Sequence, residues 1–265
     1  MKHLSDVHGH GMSLPGIRHI AIDRPFTWLQ AGWQDMKANP LPSLAYGLLF
    51  ALGGDLIILA LLDHPHLISV AISGFFLVAP LLAAGLYELS RSRAKGEKLL
   101  FIDSLRCFRR NGQSLAFFGL ILALAMLFWE RVSAVTFALI AIDTPAMASA
   151  YLSDIIFSGE HLAFTATWLA TGGMLALLVF AVSVVSVPMM LDHDTDVATA
   201  MLTSLRTFGQ NFAPLLLWAG LIVVLTLLGF ATLLFGLVVI MPILGHASWR
   251  SEERRVGKEC RSRWS

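Results

Sequence analysis

A pattern of apolar and polar positions occurs three times along the chain, and each copy ends at an asparagine: Asn39, Asn111 or Asn211. Counted back from the asparagine, positions −10, −6 and −3 are large and apolar, and position −7 is Gly or Ser. Residues at this spacing share one face of an α-helix, so each copy is predicted to be a short amphipathic helix. The apolar positions are Leu29, Trp33 and Met36, then Phe101, Leu105 and Phe108, then Met201, Leu205 and Phe208.

A long apolar stretch follows each asparagine and is predicted to form a pair of membrane-spanning helices. A helix needs about 20 apolar residues to cross the hydrocarbon core of a bilayer. The six predicted spans cover residues 43–63, 67–89, 114–135, 162–190, 212–230 and 231–248. The last pair has no polar turn, so one tilted span over 212–248 is the alternative. Gly229 and Gly236 bracket the expected bend.

The three predicted hairpins share further features. A proline lies near the end of each second helix, at Pro80, Pro188 and Pro242. Eight positions after each asparagine stands a small residue that favours close helix packing, Gly47, Gly119 or Ala219. We interpret the asparagines as caps between an interfacial and a spanning helix, through the side chain or a left-handed backbone. The repeat is therefore predicted to be architectural.

Composition supports a membrane protein, because 56% of the 265 residues are hydrophobic and only 14% are charged. Soluble domains carry about 25% charged residues. The predicted fold is all-α, a polytopic transmembrane bundle of about six spans in three helical hairpins. Each hairpin is preceded by a cytoplasmic amphipathic helix.

The distribution of Lys and Arg predicts the orientation. Residues 90–113 contain seven and residues 249–265 contain six, whereas the turns at 63–66 and 143–161 contain none. Positive charge marks the cytoplasmic side, so both termini and the three amphipathic helices are expected inside a bacterial inner membrane.

The chain is predicted to have three parts. Residues 1–24 form a flexible cytoplasmic amino terminus, and residues 25–249 form a single integral membrane domain. Residues 250–265 change abruptly in composition and look like translated vector sequence, so we interpret them as a non-native tail.

Asp55 is the acidic residue placed deepest in a predicted span. A charge at the centre of a membrane helix costs roughly 2.5–3.5 kcal/mol on insertion scales, so such residues are candidates for function. One interpretation is a proton or cation site on a polar path. The other is a structural hydrogen bond to a neighbouring helix or water.

A second candidate is a polar mouth at the cytoplasmic ends of the helices. Its expected members are Glu88, Asp192, Asp194 and His246. If the repeats surround a common axis, these groups converge, and their oxygen and imidazole atoms suit a divalent cation. The alternative, which we favour, is a solvated loop in which Asp192 or Asp194 pairs with Arg91 or Arg106.

Two classes of function remain open at this point. No catalytic motif is found, so an enzyme is not predicted, and neither a cofactor nor a resident metal nor a nucleic-acid partner is expected. The leading hypothesis is a non-catalytic protein that organises lipid or a partner protein, or forms a homo-oligomer. Anionic lipid is expected near Arg106, Arg109, Arg110 and Arg206. The alternative is a small-solute permease or channel with a polar path through Asp55.

Several motifs resemble an uncharacterised bacterial integral-membrane family, the domain of unknown function 2189. They are Trp28-Leu-x-x-Gly-Trp33-x-Asp35, Asn39-Pro-x-x-Ser43-Leu-x-Tyr46-Gly47, a stretch from Gly74 to Arg91, and Gly245-His-Ala-x-Trp249. The resemblance extends from Ile20 to Trp249 and implies a membrane fold without an assigned activity. Two residues depart from the pattern, since His193 stands where Arg is expected and Arg250 where His is expected.

Overall fold

The computed structural model describes residues 17–61, 71, 79–141, 162–192 and 195–253. These ranges contain eleven α-helices, which confirms the all-α fold class. They are α1 (Arg24–Ala38), α2 (Pro40–Ala60), α3 (Ala84–Ala94), α4 (Phe101–Ser104), α5 (Cys107–Arg110), α6 (Gly112–Ala141), α7 (Leu162–Ser183), α8 (Ser186–Asp192), α9 (Val197–Gln210), α10 (Phe212–Ala231) and α11 (Leu237–Glu253).

Four stretches are long and apolar enough to cross a membrane: Pro40–Ala60, Gly112–Leu139, Leu162–Asp192 and Phe212–Ala231. They correspond to four of the six predicted spans. About half of the predicted span 67–89, residues 67–70 and 72–78, lies outside the described residues. The predicted span 231–248 is occupied by a turn and by α11, which has 17 residues with Pro242 inside and is not among these four candidates.

Residues 212–253 form two helices, so the alternative of one tilted helix is wrong. α10 ends at Ala231, and Leu233 and Leu234 then adopt positive φ angles of 53° and 67°. Such angles are strained for residues with a side chain and cannot continue a right-handed helix. The Thr232 hydroxyl donates to the Gly229 carbonyl at 2.8 Å and accepts from the Gly236 amide at 2.8 Å. The bend therefore lies between the two glycines that predicted it.

The interfacial helices differ from their predicted form in two ways. In the second repeat the helix is divided into α4 and α5 by a turn at Leu105 and Arg106. In addition, the predicted apolar face does not act as one surface, because the residues at position −6 point outward: Trp33, Leu105 and Leu205 are 42%, 39% and 38% exposed.

The small residue at position −7 packs inside the protein in all three repeats: Gly32, Ser104 and Ser204 are buried. A small side chain allows close contact between helices. A Cβ atom added at Gly32 would lie 2.5 Å from the Ile243 carbonyl oxygen of α11. Position −7 faces the bundle, and a residue larger than Gly or Ser would therefore not fit there.

α11 lies at the centre of the described fold, in contact with α1, α2, α3 and α10. The approach to α2 is the tightest, since a Cβ atom added at Gly47 would lie 1.9 Å from the Val238 carbonyl oxygen. The helices that close the three repeats, α3, α8 and α11, also contact one another in pairs. Buried apolar side chains fill this region, among them Leu86, Met190 and Leu244.

Candidate functional site

The three asparagines adopt the same backbone conformation at the three junctions. Their φ and ψ angles are −138° and 67° for Asn39, −134° and 51° for Asn111, and −127° and 41° for Asn211. The predicted left-handed backbone is therefore wrong, because φ is negative at all three. The predicted side-chain cap is also wrong at Asn39 and Asn211, whose side chains form no capping hydrogen bond with the first turn of the helix that follows. The asparagine side chains bind other parts of the backbone instead. We call the part of the molecule around these three residues the junction end.

Each asparagine side chain binds the backbone just before the interfacial helix of the next repeat. Asn39 Nδ2 donates to the Leu99 carbonyl at 2.9 Å, and Asn111 Nδ2 donates to the Thr195 carbonyl at 2.9 Å. Asn211 Nδ2 donates to the Arg18 carbonyl at 3.1 Å, while its Oδ1 accepts from the Ile20 amide at 2.8 Å. The third repeat is thereby hydrogen-bonded to the segment before the first. The hydrogen bonds form a closed cycle of three.

Aromatic packing follows the same order at two of the three junctions. The residue seven positions after each asparagine is aromatic and buried: Tyr46, Phe118 and Trp218. The Tyr46 ring lies 4.7 Å from the ring of Phe101 in the second repeat. The Trp218 ring lies 5.8 Å from Trp28 in the first, edge to face. At these two junctions the aromatic contacts join the same segments as the asparagine hydrogen bonds, and we call the closed cycle of three hydrogen-bonded junctions the ring.

Removal of one asparagine is expected to open the ring locally. In Asn211→Ala, the Ile20 amide and the Arg18 carbonyl lose their side-chain partner, at a cost of about 1–3 kcal/mol. We expect trypsin to cleave after Arg18 several times faster than in the wild type. Gln210→Ala changes the exposed neighbouring residue and is the control. Equal cleavage rates in both variants would contradict this role of Asn211.

A buried hydrogen-bonded chain connects α1, α2, α3 and α11 at the junction end. Ser43 Oγ lies 2.9 Å from His246 Nε2, and Ser90 Oγ lies 2.7 Å from His246 Nδ1. Ser90 also donates to Asp35 Oδ2 at 2.8 Å. All four residues are at most 2% exposed.

The arrangement determines which ring nitrogen of His246 carries the proton. Ser90 uses its only proton on Asp35, so it accepts from the His246 Nδ1–H group. Ser43 Oγ donates to the Asn39 carbonyl at 2.8 Å and lies 2.9 Å from Nε2 of the neutral ring, so its single proton is shared between these two acceptors. The hydrogen-bonded chain thus reaches the first junction.

Asp35 is a buried carboxylate held by two arginines. Arg250 binds it through two nitrogens, Nε at 2.8 Å and Nη2 at 2.8 Å, and Arg93 forms a second ion pair. Burial raises the pKa of Asp35, but the hydrogen bonds and charge of Arg250, with the bond from Ser90, outweigh it and hold the pKa below its usual range. Arg250, assigned from sequence to the non-native tail, thus contributes to this cluster.

Of the four residues predicted at the polar mouth, the structure brings two together. Arg91 Nε donates to Asp192 Oδ1 at 2.8 Å, and Arg91 Nη1 donates to Glu88 Oε1 at 3.3 Å. This is the ion pairing that the alternative interpretation predicted for Asp192. His246 belongs instead to the Asp35 cluster, and Asp194 lies outside the described residues. Within the described ranges, no group of three His, Cys, Asp or Glu is placed to hold a metal ion.

Asp55 lies nearer the far end of α2 than the sequence suggested. Because α2 runs over Pro40–Ala60, Asp55 is about 22 Å along it at 1.5 Å per residue. The preceding residue, Gly54, faces Leu234 in the turn between α10 and α11. Asp55 is partly exposed, and no hydrogen bond or ion pair is found for it within the described residues.

The outward faces of the interfacial helices share a chemical pattern. At position −6 each presents the exposed apolar residue described above, and next to it an exposed basic side chain. In the first repeat Lys37 Nζ lies 5.5 Å from the ring centre of Trp33. Arg106 and Arg206 directly follow Leu105 and Leu205 and are exposed. This combination matches the boundary between lipid headgroups and acyl chains.

The buried cluster contains functional candidates that were not identified from sequence: Asp35, Ser43, Ser90 and Arg93. The family motifs include Asp35, Ser43 and Ser90, but the resemblance assigns no role to these residues. A helical signal exists, since Asp35 follows Gly32 by three residues and so shares the face that contacts α11. The partners on α3 and α11 are distant in sequence, and no spacing rule connects them.

Comparison with known sequences gives one match. The model of the family described as "Predicted integral membrane protein (DUF2189)" matches residues 67–192. No curated protein and no solved structure matches the chain. The match covers a smaller part of the chain than the motifs suggested, and it includes the six described helices from α3 through α8 in full. The resemblance is therefore confirmed over residues 67–192, where the chain matches the model of this predicted integral membrane family.

Proposed function

We propose that this protein is a non-catalytic integral protein of the bacterial inner membrane that organises anionic lipid at the cytoplasmic face. Its six spans form three hairpins, both termini lie inside, and the three interfacial helices lie at headgroup level. The observation that carries the proposal is the outward pair of an apolar and a basic residue, present in all three repeats. Basic residues close to an anionic membrane surface contribute about 1 kcal/mol each.

The buried cluster supports a structural role rather than catalysis. Ser43, His246 and Asp35 contain the chemical groups of a nucleophile, a base and a carboxylate. However, Ser43 and His246 are 0% exposed, and their polar atoms are bonded within the protein. A substrate cannot reach the hydroxyl without separating α2 from α11. The cluster therefore serves to join four helices.

The position of Asp55 favours the organising role over a permease. A permease needs polar groups on both sides of the apolar barrier. Asp55 lies only near the end of α2 that is remote from the junctions. On the closing helices α3, α8 and α11, Leu86, Met190 and Leu244 are buried apolar side chains, and the buried polar side chains of Ser90 and His246 are bonded to each other. Glu88 and Asp192 are both occupied by Arg91.

Lipid selectivity tests the proposal. The variant Lys37→Gln/Arg106→Gln/Arg206→Gln retains side-chain length and removes one cation from each repeat. In vesicles of phosphatidylglycerol and phosphatidylcholine, spin-labelled phosphatidylglycerol is expected to associate with the wild type more strongly than spin-labelled phosphatidylcholine. At about 1 kcal/mol per cation, the variant should lose most of this preference, by roughly tenfold or more.

Arg131→Gln is the matched control, because Arg131 is 79% exposed but lies on α6 away from the junctions and pairs with Glu130. It should leave the preference unchanged. A wild-type protein that associates equally with both lipids would refute the proposal. An equal loss in the control would show that total charge, rather than the interfacial position, determines the association.

A further inference from the structure

The third repeat has an apolar groove on its surface. It runs along the outer face of α10, has a volume of about 550 Å³ and is lined almost wholly by apolar atoms. Phe212 and Ala213 lie at its junction end, Leu216 and Gly220 in the middle, and Val224 at the other end. All of these residues lie in the candidate span Phe212–Ala231.

The groove results from a small residue at one repeat position. Nine positions after the asparagine, the first two repeats have Leu48 and Leu120, which are 49% and 55% exposed. The third has Gly220, and a Cβ atom added there would meet nothing within 4 Å. The leucine side chain that covers the helix surface in the other repeats is therefore missing, and the surface of α10 is hollow at this level.

The length and the surroundings of the groove indicate its occupant. From Phe212 to Val224 the helix rises about 18 Å, close to the roughly 15 Å depth of one bilayer leaflet. The Arg18 backbone lies near the junction end of the groove, because its carbonyl accepts from the side chain of Asn211, the residue before Phe212. The Arg18 side chain is exposed. An apolar channel of one leaflet's depth with a cation at the headgroup level matches one acyl chain and a phosphate.

We propose that this groove binds one anionic phospholipid, with an acyl chain along Gly220 and the phosphate at Arg18. The inference rests on the proposed function and extends it to one defined site. A bound chain covers the apolar surface that Gly220 leaves open, while the general lipid contact at the three interfacial helices does not require the groove. The two kinds of association are therefore separable by mutation.

The test fills the groove with leucine, the residue that the first two repeats have at this position. Gly220→Leu places a leucine at the position of Leu48 and Leu120. Gly173→Leu is the control, because Gly173 lies on α7 and also has nothing within 4 Å of an added Cβ atom. Each protein is reconstituted in vesicles of phosphatidylglycerol and phosphatidylcholine, released gently, and examined by native mass spectrometry.

The wild type and Gly173→Leu are expected to retain one phosphatidylglycerol per chain. Gly220→Leu is expected to retain about tenfold less, since several buried methylene contacts are lost. Equal retention by Gly220→Leu overturns the proposal. A dimer of the wild type that Gly220→Leu dissociates also overturns it, because a second copy then occupies the groove.

The spin-label preference of the same variants separates this inference from the proposed function. Gly220→Leu should keep the preference for phosphatidylglycerol, because its interfacial cations are unchanged. Loss of the retained lipid with the preference intact supports both proposals. If the wild type shows the preference but retains no lipid, the groove proposal fails alone. If the wild type shows no preference, the proposed function fails.

Discussion

Gly47→Ala is expected to unfold at a clearly lower SDS fraction than the wild type, although alanine is normally the better helix former. The added methyl group would lie 1.9 Å from the Val238 carbonyl oxygen and 2.6 Å from the Val238 carbonyl carbon. These are backbone atoms of α11 and cannot rotate away, so α2 and α11 must separate. Overpacking of a tight core costs 1–3 kcal/mol or more, and here it also disturbs the contact between Ser43 and His246.

Gly53→Ala is the matched control, six residues further along the same helix, where an added Cβ atom meets nothing within 4 Å. Alanine is favoured over glycine by about 1 kcal/mol in a helix, so this variant should be neutral or slightly more stable. The measurement is the SDS fraction at which half of the protein unfolds in mixed micelles. Equal midpoints for the two variants would show that α2 does not approach α11 as described.

Asp35→Asn is expected to be the most damaging change of charge, lowering the free energy of unfolding by about 3 kcal/mol. The amide has nearly the shape of the carboxylate but leaves Arg250 and Arg93 without their buried anion. Arg93 is 38% exposed and can turn toward water, which places the effect at the lower end of the range for broken buried pairs. The same mixed-micelle unfolding measures the loss.

Asp103→Asn is the control for Asp35→Asn. Asp103 pairs with Arg106 at 3.4 Å, but their side chains are 34% and 77% exposed, so its removal should cost within about 0.5 kcal/mol. The pH dependence gives a second check. Because the folded pKa of Asp35 is lowered, its stabilisation is present above the unfolded pKa and disappears as the pH falls through the folded value. A wild-type protein equally stable at pH 7 and at pH 3 would contradict this account.

The sequence repeat anticipated much of the fold because its signals are local. Helical spacing before Asn39, Asn111 and Asn211 predicted the interfacial helices, and the glycines at 229 and 236 predicted the bend between α10 and α11. The outward direction of Trp33 was missed because hydrophobicity alone does not separate a lipid contact from a protein contact. The small residue at position −7 was the better indicator of the protein side.

The candidate site was harder to predict because its partners are distant along the chain. Asp35, Ser90 and His246 are brought together only when α1 and α3 pack on α11. The closing bond of the ring joins Asn211 to Arg18, residues that no local pattern relates. The pairing of Asp192 with an arginine was predictable from the sequence, because opposite charges at neighbouring helix ends commonly pair.

Cysteine labelling at one repeat position tests most directly that three equivalent helices lie on the cytoplasmic face. Lys37→Cys, Arg109→Cys and Gly209→Cys each replace an exposed residue two positions before the asparagine. They are made separately with Cys107→Ala and Cys260→Ser. Phe235→Cys, in the turn between α10 and α11, marks the opposite face and is 75% exposed.

A membrane-impermeant maleimide should label positions 37, 109 and 209 in inside-out vesicles but not in intact spheroplasts, and position 235 with the opposite preference. Labelling of any one of the three junction positions from outside the spheroplast would contradict the account.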